Sequence, residues 1–192
     1  RWGEALDLLH QMREDGIEPD VISCTAAIGA TGRGLQWEKA LSLLSGMAGR
    51  SLVLDIIGHN AAMSACEKGG AWNLARRLFE RLSSGRLEPS GVTHSIAISA
   101  CGKGQQWEHG LGMLEGALQQ GLQLHIITYG ATMGACVGGS GSAWLRALGV
   151  LVALLRRGFE ASEVAFGTAA GATGEGGNWM QVLAFLKEMG AR

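Results

Sequence analysis

The sequence is poor in charge. Only 17% of its 192 residues are Asp, Glu, Lys or Arg, the net charge is −1 at pH 7, and 47% are hydrophobic. So apolar a composition excludes a disordered segment. So even a balance supplies no bulk field to draw in nucleic acid or a membrane surface. Apolar runs of membrane-spanning length are also missing: the nearest, Ala147 to Leu155, is far too short and is followed by Arg156 and Arg157. The four cysteines, Cys24, Cys66, Cys101 and Cys136, form no CxxC pair, which argues for reduced thiols rather than a disulfide frame. No targeting segment is legible within these residues. No Ser-His-Asp or Cys-His arrangement follows from the spacing. The glycine-rich stretches GATGEGGN (Gly171 to Asn178) and VGGSGS (Val137 to Ser142) do not continue as a phosphate-loop consensus. No catalytic residue, metal ligand or cofactor is therefore expected.

What the sequence does have is a period. Trp2, Trp37, Trp72, Trp107, Trp144 and Trp179 stand at intervals of 35, 35, 35, 37 and 35 residues. The longer interval has a visible source, two extra residues in the Gly/Ser stretch Val137 to Ala143. Two nonamers, SACEKGGAW (Ser64 to Trp72) and SACGKGQQW (Ser99 to Trp107), are copies of one joint within that frame. Fixed self-similarity of this kind marks a repeat architecture.

After each Trp an apolar pattern follows at the third, fourth, sixth, seventh and tenth places: Ala5, Leu6, Leu8, Leu9, Met12 in one unit and Ala40, Leu41, Leu43, Leu44, Met47 in the next. This is one face of an amphipathic helix, with Arg76 and Gly110 as departures. Turns such as DGIEPD (Asp15 to Asp20) and GRLEPS (Gly85 to Ser90) end it. A second segment rich in Ala and Gly comes next, as in VISCTAAIGA and IIGHNAAMSA. Its β-branched start leaves a strand as the alternative to a helix. Each unit thus reads as helix, turn, helix, turn. Such a pair cannot bury its apolar face alone, and stacked pairs make a solenoid.

Chemically attractive residues recur in the same frame. Cys66, Cys101 and Cys136 share one place with Thr31 and Thr173. Equivalent places in stacked repeats lie roughly 10 Å apart, too far to close a metal site, so small buried side chains at a helix contact are expected. His59 and His94 share a place with Cys24, Tyr129 and Phe166, which suits semi-buried packing. His10 and His109 are expected to be exposed.

The unit resembles the pentatricopeptide repeat family. The likeness rests on the 35-residue period, on IEPDVIS (Ile17 to Ser23), on IITYG (Ile126 to Gly130) and on EALDLLHQM (Glu4 to Met12), and it extends over essentially the whole chain. Tetratricopeptide repeats have a period one residue shorter and fit less well. The resemblance implies an all-α fold, an α-solenoid of stacked helix-turn-helix repeats wound as a right-handed superhelix. Its expected units are a partial repeat at 1–20, repeats at 21–55, 56–90, 91–125 and 126–162, the last with the turn insertion, and a partial repeat at 163–192.

By the same resemblance the chain binds single-stranded RNA, about one base per repeat, in a chloroplast or mitochondrion, in RNA processing, editing, stability or translation. The fifth and last residues of a unit would read the base: Thr25 with Asp55, Asn60 with Ser90, and Ser95 with His125. The first two pairs look like guanine and cytosine readers, the third matches no known pair, and Gly130 with Ser162 offers no reading side chain at the fifth place. The second residue, Ile22, Ile57, Val92, Ile127 or Val164, would pack against the base, or else pack adjacent helices. Arg33, Lys68 and Lys103 would face phosphates, or else stand as solvated cations at helix ends. Other proteins of an RNA-processing complex are further expected partners, and no membrane is. The competing class is a protein-interaction scaffold without RNA. No enzyme is expected in this segment, and a catalytic domain outside it stays open.

Overall fold

The computed structural model describes residues 1–49, 52, 54–85, 87–137, 143–157, 167–168 and 171. Among these, α1 (Trp2–Glu14), α2 (Val21–Arg33), α3 (Trp37–Ala48), α4 (Ile56–Lys68), α5 (Trp72–Ser83), α6 (Gly91–Lys103), α7 (Trp107–Gln119), α8 (Ile126–Cys136) and α9 (Ala143–Arg156) follow one another, and no strand occurs. The IIGHN segment is the start of α4, which removes the strand alternative. The turn insertion within 138–142, Ser162, Val164 and nearly all of the last expected unit lie outside the described residues.

The even-numbered helices start where a polar residue caps them. Asp20 accepts from the Ser23 N–H at 2.8 Å and Asp55 from the Gly58 N–H at 2.9 Å. At α6 the Thr93 N–H donates to Ser90 Oγ at 3.3 Å and the Ser90 N–H donates to Thr93 Oγ1 at 3.2 Å, a reciprocal cap. At α8 the cap is His125, whose Nδ1 accepts from the Ile127 N–H at 3.3 Å. These bonds satisfy donors that a helix start otherwise leaves unpaired.

The chain divides into two compact units, Arg1–Ala100 and Cys101–Arg192. In the first, each helix from α1 to α5 packs on the next, and α2 also packs on α4. The α2–α4 contact is close because of Gly32: a Cβ there would stand 3.0 Å from the Ala65 Cβ. Ile28, Thr31, Ala62, Met63 and Cys66 are fully buried around it. The ring of Trp2 lies on Gly34, and the ring of Trp37 lies on Gly69, so closely that a Cβ at either glycine would clash with the ring, 2.1 and 2.3 Å from its Cδ1. Each of these glycines is 32 residues after its Trp. The Trp of one hairpin therefore packs on the C-cap of the next hairpin's first helix, and this contact is the physical basis of the Trp period. Lys39 Nζ stacks on the Trp2 ring at 3.8 Å.

The expected apolar face of α1 is buried in part. Leu9 is in the core, whereas Leu8 is 61% exposed. Adjacent residues point about 100° apart around a helix, and α2 packs on the side of Leu9 alone. In the second unit α7 packs on α8 and α8 on α9. Leu114, Tyr129, Met133, Leu151 and Leu154 form its core. Gly102 gives close approach to the backbone of α8, since a Cβ there would meet the Ala131 carbonyl oxygen at 2.9 Å.

Candidate functional site

Ile22, Thr25, Gly29 and Arg33 are separated by three, four and four residues along α2, which puts them on one face of the helix. Ile57, Asn60, Ser64 and Lys68 repeat that stripe on α4. Each stripe runs from an apolar side chain, through a polar one and a small one, to a cation. Its ends are about 16 Å apart at the helical rise.

The apolar end is in solvent. Ile22 is 78% exposed, Ile57 63% and Val92 62% in the first unit, and Ile127 is 72% exposed in the second. These are four of the eight large hydrophobic side chains exposed among the described residues. The packing alternative needs them between helices, and the helices leave them uncovered. Folding gains nothing from a β-branched side chain left in water at the same register of four helices.

The polar place is also unsatisfied. Thr25 Oγ1 and Asn60 Oδ1 are both buried atoms without a hydrogen-bond partner. A buried orphan of this kind costs about 1–3 kcal/mol. Thr25 Oγ1 would lie 3.1 Å from a Cβ on Gly58, the residue whose N–H is held by Asp55. Thr25 and Asp55 therefore converge on the first turn of α4. The later units differ. Ser95 Oγ donates to the Gly91 carbonyl at 2.7 Å, which commits its hydroxyl proton. Gly130 carries no side chain, and a Cβ there would meet nothing within 4 Å. Ser90 and His125 serve as caps.

Arg33, Lys68 and Lys103 are exposed, each at the last position of its helix, where the helix dipole favours a cation. The Arg33 guanidinium folds back along α2: its Nη1 is 3.7 Å from the Cβ position of Gly29. A small residue one turn before the cation permits this. Gly29 and Ser64 were the parts of the stripe that sequence reasoning passed over, although their 35-residue spacing was available.

The other chemically attractive residues have structural roles. Burial pushes the thiols of Cys66 and Cys136 up to about 11, so neither is a nucleophile near neutral pH. No group of three or more His, Cys, Asp or Glu able to hold a metal ion occurs among the described residues. His94 packs edge-on to Phe79 at 4.9 Å between centroids, and its Nδ1 donates to the Ser90 carbonyl at 3.1 Å. His59 makes the same bond to the Asp55 carbonyl at 3.0 Å. Each ring steadies the residue that caps its own helix. His10 and His109 are exposed. No described helix is long and apolar enough to cross a membrane.

Residues 42–104 match the pentatricopeptide repeat domain model, and residues 1–17 match the PPR repeat model. Comparison with curated proteins gives no match. Among solved structures, the chain is similar to maize pentatricopeptide repeat protein PPR10 in complex with an 18-nt psaJ RNA element, with TM-score 0.76 and 22% identity over 97% of this chain and 27% of that one. It thus spans about a quarter of that protein's length. It is also similar to the PPR domain of Arabidopsis thaliana protein-only RNase P 1 in complex with tRNA, with TM-score 0.72 and 9% identity over 90% of each chain. A third likeness is to the A. thaliana nuclear proteinaceous RNase P 2, with TM-score 0.73 and 13% identity over 88% of this chain and 38% of that one. These likenesses show the fold, an all-α solenoid of helical hairpins. Over residues 1–17 and 42–104 the sequence matches pentatricopeptide repeat models, so the chain carries pentatricopeptide repeats there.

Proposed function

We propose that the chain binds single-stranded RNA along the stripes of its even-numbered helices. The observation that carries this reading is the exposure of Ile22, Ile57 and Val92 at one register beside unpartnered polar atoms on Thr25 and Asn60. A base lying flat against a β-branched side chain covers apolar surface that the fold leaves wet. Its polar edge supplies the hydrogen bond that Thr25 or Asn60 lacks once the half-buried side chain turns toward the base. Arg33, Lys68 and Lys103, at the far end of each stripe, take phosphates. Thr25 with Asp55 and Asn60 with Ser90 read bases. Ser95 with His125 reads less selectively, because the Ser95 hydroxyl proton is held by the Gly91 carbonyl. The relatives of this fold crystallised with an RNA element and with tRNA support RNA as the ligand class.

We place the chain, on its family resemblance, in the processing, editing, stability or translation of an organellar transcript. It grips RNA and carries out no chemistry itself. Other proteins of such a complex are its further partners.

The test is fluorescence anisotropy with randomised and G/C-enriched single-stranded RNA, at low and physiological salt. Ile22→Ser/Ile57→Ser/Val92→Ser removes only exposed surface, so the variant keeps its stability while RNA binding weakens about tenfold or more. Thr25→Ala/Asn60→Ala lowers selectivity between the two RNAs. Arg33→Ala/Lys68→Ala/Lys103→Ala weakens both equally and flattens the salt dependence. A folded wild-type chain that binds neither RNA at low salt rules the reading out.

A further inference from the structure

In the first unit α2 and α4 pack together, while α3 and α5 stand apart around a groove of about 620 Å³. Leu41 and Leu44 line it from α3, and Leu74 and Leu78 from α5. Arg77 and Arg81 stand at its edge on α5, four residues apart and both exposed. Among the described residues neither has a carboxylate within ion-pairing distance, although Arg76 beside them is paired with Glu80. Two like charges one turn apart oppose each other, and the α5 dipole offsets this only in part, at Arg81 in the last turn. Aliphatic side chains with cations on one rim, unpaired within the fold, describe half of a complementary pair.

We propose that this groove docks an amphipathic helix of a partner protein, one that lays leucine-type side chains between α3 and α5 and sets Asp or Glu against Arg77 and Arg81. The seam between two helices has the ridges and grooves that receive a third helix, and a one-faced helix in an apolar groove is a recurring mode of recognition. RNA is the poorer fit, because the lining is mostly aliphatic and holds no Phe, Tyr or Trp for a base to stack on. The groove lies mainly between α3 and α5, and although His59 of α4 also lines it, none of the stripe residues on α2 or α4 does, so a protein partner and RNA can be held together.

The test uses the whole chain and a fluorescein-labelled designed helix of about 18 residues, with leucines at successive three- and four-residue steps flanked by glutamates. A second peptide carries lysines in place of the glutamates. The acidic peptide binds and the basic one does not. Arg77→Glu/Arg81→Glu weakens the acidic peptide about tenfold or more and admits the basic one. Arg77→Gln/Arg81→Gln, the gentler variant, weakens the acidic peptide without admitting the basic one. Thermal melts establish that each variant is folded, and RNA binding is unchanged in both. Failure of the acidic peptide to bind, or binding indifferent to both variants, overturns the proposal. A dimer in sedimentation that the charge reversal abolishes assigns the groove to a second copy and overturns it too. Loss of RNA binding on charge reversal assigns the groove to RNA, with the same consequence.

Discussion

Replacing Gly46, Gly112 and Gly116 together by alanine is expected to make the protein more stable. All three lie inside helices, Gly46 in α3 and the others in α7. A Cβ at any of them would meet nothing within 4 Å, and none has a positive φ. Space and backbone both accept the methyl group, and only the entropy of the unfolded chain changes. Alanine is worth about 0.5–1 kcal/mol over glycine at such a site. With no side chain at any of the three sites to couple them, the increments sum to about 2 kcal/mol and, at about 2–4 °C per kcal/mol for a chain of this size, a melting temperature higher by about 4–8 °C. Gly69→Ala is the matched control. Its φ is −81°, ordinary for any residue, yet the new Cβ would stand 2.3 Å from the Trp37 Cδ1, well inside van der Waals contact. Displacing a packed ring costs about 1–3 kcal/mol, so the same chemical change has the opposite sign there. Thermal and urea unfolding followed by circular dichroism at 222 nm read both. A triple variant no more stable than the parent, or a Gly69→Ala variant as stable, refutes the account of helix spacing and of the Trp–Gly contact.

Other outcomes follow from single residues. Leu35 and Gln105 hold φ values of 57° and 53°, a region that strains any side chain by about 1 kcal/mol or more. Leu35→Gly and Gln105→Gly are expected to raise the urea midpoint, and Gly70→Ala, at φ 77°, to lower it. Asp55→Ala loses a cap worth about 1 kcal/mol, whereas Asp55→Asn keeps most of it; denaturant titration distinguishes them. The carboxyl of Asp20 is held below its usual range by the Ser23 hydroxyl and then by the Ser23 N–H. The folded state therefore binds that proton less readily than the unfolded one. The resulting stability is complete above the ordinary carboxyl value of 3.8 and is lost as pH falls through the lower folded value. Asp20→Asn flattens stability against pH in that acid range by lowering it toward neutrality, where the carboxylate's contribution is otherwise complete, and it converges with the parent in strong acid. Cys66 and Cys136, with thiols raised to about 11 by burial, stay unmodified by iodoacetamide at pH 8 and react once urea unfolds the chain, as peptide mass mapping would register.

The hairpin frame was legible because it is carried by sequence spacing. Trp recurrence and the apolar places after it imply helices whatever surrounds them, and Val21, Ile56, Gly91 and Ile126 all begin helices in the structure. Spacing says nothing of exposure, so Ile22 and Leu8 read alike as apolar face residues until neighbouring helices are in place. Nor does it reveal a backbone angle: glycine announces the left-handed turn at Gly70, but the same turn at Leu35 and Gln105 is imposed by the packing of the hairpin on either side. The unpartnered oxygens of Thr25 and Asn60 are also products of tertiary packing, since only the approach of another helix shuts water out. The Trp–Gly contact could have been read earlier, because Gly34, Gly69, Gly104, Gly139 and Gly176 each stand 32 residues after a Trp.

The polar residue before each even-numbered helix has two tasks. Asp20, Asp55, Ser90 and His125 close helix starts through their side chains, and in our proposal Asp55, Ser90 and His125 also face a base. A side chain that contributes nothing to the first turn weakens its hairpin before it alters any preference for RNA. The lettering available at this place is thus restricted to residues that end a loop well, chiefly Asp, Asn, Ser and Thr. Rewriting target preference means exchanging one cap for another, and the fold itself edits the vocabulary.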